Sequence, residues 1–211
     1  MDKSAIIISE VSSGNQAKAE DTALWKFNGK TILSQVVDSV TDLVDEVIIV
    51  ASSKDQADTY EKIVSDAKII LCEEDCKGTL PAALQGFESA QGKHVLVLTS
   101  DSLFVSFDVV TLLFDLSPGK SAVVPRWPGE NCEALQAVYD RCQALDAGKK
   151  ALDAGEVDLA SILPRMRGVR YISTMVIEQL DPDFKSFFHV KTMLDLKKAA
   201  VMTKPRKSKT K

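Results

Sequence analysis

Little in this chain of 211 residues points to a metal cluster, a membrane or a nucleic acid. There are four cysteines, Cys72, Cys76, Cys132 and Cys142, and no C-x-x-C pair among them. The two histidines, His94 and His189, make no ligand spacing with those cysteines. A zinc site is therefore not expected, and free thiols in a cytoplasmic chain are. No apolar run is long enough to span a bilayer, and residues 1–8 lack the h-region of a signal peptide. The formal net charge of −4 argues against general nucleic-acid binding. What remains is an ordinary soluble composition, 45% hydrophobic and 27% charged, sufficient for one substantial domain with a buried core.

The apolar residues are arranged in alternating strand and helix patterns. SAIIIS (Ser4–Ser9), EVIIVA (Glu46–Ala51), Ala67–Cys72 and His94–Leu98 are short runs rich in aliphatic side chains. Such runs suit strands of a parallel sheet covered on both faces. Between them, Ile32, Leu33, Val36, Val37, Val40, Leu43 and Val44 recur at helical spacing, which predicts a helix over Thr31–Val44. Lys54–Ser65 and Leu80–Ala90 read as further helices. After the fourth run, helices are expected over Phe107–Leu116, Asp140–Ala154, Leu159–Met166 and Thr192–Met202. Strands are expected over Ser121–Arg126, Ala134–Tyr139 and Val169–Ser173. A β-α-β-α-β-α-β order with right-handed crossovers gives an α/β fold, a three-layer, doubly wound, mostly parallel sheet. It is expected to form one domain over residues 1–203, followed by a solvated tail. That tail, KPRKSKTK, carries five positive charges and no apolar side chain.

One stretch carries a candidate for chemistry. GKHVLVLTSDSLFV (Gly92–Val105) brings a buried strand out into Thr99-Ser100-Asp101. Ligands of open α/β sheets bind beyond the carboxyl ends of the strands. A carboxylate there is well placed to hold a Mg²⁺ ion that also carries substrate phosphates. Asp101 can equally cap the helix that begins near Phe107, or sit in a turn.

Five segments, in order, resemble the MobA-like family of GTP-dependent guanylyltransferases that make molybdenum-cofactor dinucleotides. Gly29-Lys30-Thr31-Ile32-Leu33 is similar to the family's G-K-P-L-L, and Gly78-Thr79-Leu80-Pro81-Ala82-Ala83 to its GPLAG-type turn into a helix. Val95–Phe104 resembles its strand ending in C-D-M-P-F, and Glu133–Tyr139 its E-P-L-x-A-x-Y strand. FFHVKTMLDL (Phe187–Leu196) resembles F-x-N-[IV]-N-T-x-x-D-L. The likeness runs over roughly residues 4 to 200.

The resemblance implies a Rossmann-like nucleotidyltransferase fold. It also implies transfer of a nucleoside monophosphate, from GTP first of all, onto the phosphate of molybdopterin, with pyrophosphate leaving. Asp101 would be the metal-binding acid for Mg²⁺, and Lys18 the cation beside the phosphates. The nucleotide would be met by Ser9, Glu10, Ser12, Ser13, Gly14, Thr22, Gly78, Thr79, Leu80 and Ser100. The acceptor would be met by Glu133, His189 and Lys191. Partners would be the nucleotide, the small phosphorylated acceptor and other molybdenum-cofactor proteins, with neither nucleic acid nor membrane involved.

The departures from the family pattern fall on the phosphate loop and the C-terminal motif. The family's L-A-G-G-x-S-x-R-M-G-x-x-K uses glycines to bring backbone N–H groups to a triphosphate, and Arg and Lys to neutralise it. Counting forward from the first strand, the two glycines fall on Glu10 and Val11. Counting back from Gly29-Lys30, the lysine falls on Thr22 and the arginine on Ala17. The family's two asparagines fall on His189 and Lys191. Two other readings stand beside the first: a non-catalytic member that keeps the fold for binding or assembly, and transfer to another phosphorylated acceptor such as a sugar or a corrinoid.

Overall fold

The computed structural model describes residues 1–9, 20–72, 76–129 and 131–203. In chain order the elements are β1 (Lys3–Ile8), β2 (Lys26–Phe27), β3 (Lys30–Thr31), α1 (Ile32–Thr41), β4 (Glu46–Ala51), α2 (Lys54–Tyr60), β5 (Lys68–Leu71) and α3 (Thr79–Ser89). They continue with β6 (His94–Thr99), α4 (Phe107–Asp115), β7 (Ala122–Arg126), β8 (Ala137–Asp140), α5 (Arg141–Asp153), β9 (Arg170–Ser173), α6 (Thr174–Ile177) and α7 (Met193–Met202). Three 3₁₀ segments lie at Thr22–Leu24, Leu159–Arg165 and Lys185–Phe187.

Seven strands form one sheet in the order β5-β4-β1-β6-β8-β7-β9, and β2 and β3 make a separate hairpin. β8 runs antiparallel to both of its neighbours, while the other pairings are parallel. The carboxyl ends of β1, β4, β5, β6, β7 and β9 therefore share one edge. The expected neighbours Ile6–Ser9, Val47–Val50, Ile69–Leu71 and Val95–Leu98 are contiguous, in register Ile6↔Ile48, Ile6↔Val97 and Ile49↔Ile69.

Alternation along the strands builds two cores, one on each face of the sheet. Ala5 and Ile7 of β1, with Leu96 and Leu98 of β6, face α1 and α4; Leu33, Val36, Val40, Val110 and Leu113 pack there. Ile6, Ile8, Val95 and Val97 face α3 and α5, where Leu80, Phe87, Ala144 and Ala147 pack. α1 is started by Thr31, whose hydroxyl accepts from Ser34 N, and α4 by Ser106, which accepts from Val109 N. Ser106, not Asp101, is thus the cap of the helix at Phe107.

Several boundaries differ from the sequence reading. The helix expected over Lys54–Ser65 ends at Tyr60, and Leu159–Arg165 is 3₁₀ with Pro164 inside it. Ala134–Tyr139 contributes only Ala137 onward to the sheet, because Glu133–Gln136 forms a turn closed by Gln136 N donating to Glu133 O. The expectation of free thiols is corrected at one pair: Cys72 and Cys76 form a disulfide across a four-residue separation, with Cα atoms 6.0 Å apart. Cys142 is a free, exposed thiol. Among the described residues, no helix is long and apolar enough to cross a membrane.

Candidate active site

β6 delivers Asp101 to the sheet edge. Every residue of β6 is buried, and the chain leaves it through Ser100, whose N–H donates to Ile8 O of the adjacent β1 at 2.9 Å. The next carboxylate is therefore held above the seam between β1 and β6. Its side chain is only 2% exposed. Thr99 Oγ1 donates to Asp101 Oδ1, and the Ser102 hydroxyl lies 2.9 Å from Thr99 Oγ1. His189 Nδ1 lies 2.9 Å from the same carboxylate oxygen and 3.2 Å from Thr99 Oγ1. The segment that carries His189 is tied down by its neighbour, since Val190 N donates to Asp101 O at 3.1 Å.

Burial pushes the Asp101 carboxyl up. The His189 hydrogen bond and charge, the Thr99 hydroxyl and the Lys191 charge more than offset this, and hold it below the ordinary carboxylate value of 3.8. The result is a buried group kept anionic, with its hydrogen bonds among the described residues made through Oδ1. His189, itself 25% exposed, lies between the 2%-exposed Asp101 carboxylate and solvent. The fold brings Asp101 and His189 together, with Lys191 close enough to act on the same carboxyl.

The phosphate loop lies largely outside the described residues, as do Glu10, Ser12, Ser13, Gly14 and Lys18 on it. Its two ends, however, are placed. Ser9 Oγ donates to Gln56 Oε1 and Val50 O, both at 2.8 Å. Gln56 Nε2 and Tyr60 OH each donate to Asp21 Oδ2 at 2.8 Å. Tyr60 also reaches Ser100 through its hydroxyl; burial and then the Asp21 charge push its phenol far above the ordinary range. One network thus links Ser9, Gln56, Asp21, Tyr60 and Ser100. Gln56, Tyr60 and Asp21 were missed by sequence reasoning. Their only signal was a polar helix beside the loop, which says nothing about the direction of its side chains.

Other expected contacts are placed as follows. Thr22 is buried, at 7% exposure, inside the 3₁₀ turn that packs on α1. Gly78, with φ 93 and ψ 180, opens α3. Thr79 Oγ1 accepts from Leu159 N at 2.9 Å and donates to Asp158 Oδ1 at 3.2 Å. Leu80 has a wholly buried side chain and donates its N–H to Val157 O at 2.9 Å, so it offers a ligand neither. Glu133 takes the indole N–H of Trp127 on Oε1. An open cavity of about 730 Å³ bordered by Lys26, Lys30, Asp38, Asp42 and Asp66 contains none of these groups.

Asp101 is a buried carboxylate above the seam between β1 and β6, where the strand order of this α/β sheet reverses. The chain belongs to the MobA-like NTP transferase domain family, whose model matches residues 15–169. It is similar to a probable molybdenum cofactor guanylyltransferase of Methanosarcina mazei, with 27% identity over 92% of this chain and 88% of the relative. A molybdenum cofactor guanylyltransferase of Desulfosudis oleivorans is 26% identical over 86% of this chain and 87% of its own length. In fold it matches molybdopterin-guanine dinucleotide biosynthesis protein A from Archaeoglobus fulgidus, with a TM-score of 0.77, 21% identity, and 95% and 97% of the two chains covered. It also matches 4-diphosphocytidyl-2C-methyl-D-erythritol synthase from Anaerococcus prevotii, with a TM-score of 0.73, 14% identity and 96% of each chain.

Proposed function

We propose that this protein is a molybdenum cofactor guanylyltransferase. The terminal phosphate of molybdopterin attacks the α-phosphorus of GTP, the bond to the β-phosphate oxygen breaks, and pyrophosphate leaves with that electron pair. The observation that carries the reading is Asp101, buried and anionic at the end of the central strand of a MobA-like chain.

The residues suit Mg²⁺ in a particular way. Among the described residues no three His, Cys, Asp or Glu side chains cluster as a metal cage. A single hard carboxylate oxygen suits an ion that takes its other ligands from nucleotide phosphates and water. Asp101 would hold it, and the ion would supply neutralisation of the phosphate charge. His189 stands where the family has a carboxamide and orients Asp101 through Nδ1, while Lys191 adds positive charge from the same segment. The Ser9–Gln56–Asp21 network holds both ends of the phosphate loop against the sheet edge. Residues 1–203 are taken as one nucleotidyltransferase-like domain and 204–211, outside the described residues, as a basic tail. The same reading puts the protein in the cytoplasm, where disulfides are rare; the oxidation state of Cys72 and Cys76 in cells therefore bears on it directly.

The test is pyrophosphate release from GTP, CTP and ATP in the presence of molybdopterin and Mg²⁺. GTP is expected to be preferred, and Asp101→Ala to lower the rate by roughly 10²–10³-fold or more with the fold intact. Pyrophosphate release that survives Asp101→Ala unchanged would overturn the assignment. Binding of GTP without any release by the wild type would move the protein to the non-catalytic alternative.

A further inference from the structure

The Cys72–Cys76 disulfide sits at the passage from the sheet into α3, and no step of the reaction uses it. Cys72 directly follows β5. Its N–H donates to Ala51 O at the end of β4 at 2.8 Å, and its side chain is buried in the core on the α3 face. Cys76 is half-buried against the same core and stands two residues before Gly78. The bond therefore runs from a fixed point on the sheet to the approach of the α3 turn. Two residues span at most about 7 Å, so a shift of Cys76 is passed on to Gly78 with little slack.

From the other side, the turn is held by the segment after α5. Leu80 N donates to Val157 O at 2.9 Å, and the Thr79 hydroxyl joins Leu159 N and Asp158. Gly78, at φ 93, packs closely on Val157 and supplies α3 with no side-chain cap. From the sheet side, among the described residues, no hydrogen bond joins Cys76 or Lys77 to β4 or β5. The disulfide is the tie there.

The size of the loop separates this cross-link from a general clamp. A disulfide constrains the unfolded chain more as the loop it closes grows, and this one bridges a separation of only four residues. Its effect on the native state falls instead on the turn that the MobA-like resemblance assigns to the nucleotide. In the cytoplasm proposed above, disulfides are usually transient and redox-sensing or catalytic. We propose that Cys72 and Cys76 form a reversible dithiol–disulfide switch that sets the Gly78–Leu80 turn, the oxidised protein binding nucleotide more tightly than the reduced one. This rests on the guanylyltransferase reading for the role of the turn. The exchange partner is a dithiol. Its thiolate attacks the sulfur of Cys76, the less buried of the pair; the S–S bond breaks, and Cys72 leaves with the electron pair and takes up a proton. The partner's second thiol then attacks the mixed disulfide, releasing Cys76 as a thiol and leaving the partner oxidised. Reversal with an oxidised dithiol restores the bond.

The experiment is calorimetric titration of the full chain with GTP–Mg²⁺ after treatment with dithiothreitol, and again after reoxidation with its cyclic disulfide. Alkylation and peptide mass spectrometry report the state of each thiol, and Cys72 and Cys76 should be labelled only after reduction. Reduction should weaken GTP–Mg²⁺ by roughly 3- to 10-fold, the loss of one well-placed hydrogen bond, and reoxidation should restore it. Cys76→Ser should bind like the reduced wild type under both treatments, whereas Cys142→Ser, which alters the exposed free thiol, should keep the full response. Thermal melts of reduced wild type and of both variants establish that the fold is retained. The proposal is overturned if Cys72 and Cys76 are labelled equally under both treatments, or if reduction leaves the affinity unchanged. A response that survives in Cys76→Ser, or vanishes in Cys142→Ser, belongs to another thiol and overturns it as well. Affinity that ignores reduction while pyrophosphate release still depends on Asp101 sinks the switch alone. Failure of either redox form to bind GTP removes the guanylyltransferase reading, and the switch with it.

Discussion

Gly78→Ala tests how the α3 end of the site is built. Gly78 sits at φ 93 and ψ 180, a region that only glycine enters freely, and imposing it on alanine costs about 1–3 kcal/mol. A Cβ there would stand 2.3 Å from Val157 O and 2.9 Å from Val157 Cβ. The carbonyl must retreat by about an ångström to reach ordinary contact, and that carbonyl is the acceptor for Leu80 N at 2.9 Å. Losing that hydrogen bond costs a further ~0.5–1.5 kcal/mol. Beside it, the Thr79 hydroxyl bridges Leu159 N and Asp158, so the displacement acts on a whole junction. The total is about 2–4 kcal/mol, or roughly 5–15 °C in Tm for a chain of this size. Gly29→Ala is the control: its φ is +87, but its Cβ would meet nothing within 4 Å, so it carries the backbone cost alone. Urea unfolding of both variants, with GTP–Mg²⁺ affinity measured alongside, gives the comparison. Gly78→Ala should be the less stable by at least about 1 kcal/mol and should bind nucleotide more weakly. Equal stability of the two variants would refute the claim that Val157 closes on Gly78.

Glu46→Gln addresses acid stability. Burial raises the Glu46 carboxyl, but Ser4 Oγ at 2.6 Å, Gln91 N at 2.6 Å, Gly92 N and the Lys68 charge outweigh it and hold it below 4.5. A depressed folded value stabilises above the unfolded value and loses that contribution as pH falls through the folded one. The wild type should therefore exceed Glu46→Gln in Tm at pH 7, with the gap closing below about pH 4.5; a gap independent of pH would count against the assignment. His189→Ala removes a donor from a carboxylate that stays buried, and is expected to destabilise by about 1–3 kcal/mol. It should also raise the Asp101 titration seen by carboxyl NMR, an effect that His189→Asn should largely prevent; no change in that titration would argue that His189 does not orient Asp101.

The sheet was legible because both of its faces are covered. β1, β4 and β6 each hold at least four consecutive apolar residues, so strand identity needs no judgement about phase, and alternation with helices then fixes the parallel order. Asp101 was legible for the same reason, as the first charge after an uncharged buried strand. Local hydrogen bonding decided what was not. Ala134–Gln136 reads as strand, yet backbone closure of Glu133–Gln136 into a turn shortens β8 to four residues. The Cys72–Cys76 pairing depends on how the chain leaves β5, which no spacing rule in the sequence encodes. The Asp21–Gln56–Tyr60 network joins residues 35 and 39 positions apart, and without the fold their polar side chains are indistinguishable from solvated ones.

The single reversed strand of the sheet explains why Glu133 is at the same edge as Asp101. β8 pairs with β6 in the register Val97↔Ala137 and His94↔Asp140, so its amino end meets the carboxyl end of β6. A parallel strand in that place would bring its final residue, Asp140, to the edge and carry Glu133 to the far side of the sheet. Asp140 instead caps α5 at the opposite edge, where its carboxylate accepts from Gln143 N at 3.0 Å. Reversal thus sets the turn before β8 between Asp101 on one side and the end of β7 on the other. From there Glu133 N donates to Pro125 O at 2.9 Å, which anchors the turn to β7, and its carboxylate holds the Trp127 ring. A glutamate placed by strand direction therefore fixes an aromatic side chain two strand positions from Asp101. Lengthening β8 by pairing Ala134–Gln136 would remove that geometry even with every side chain retained.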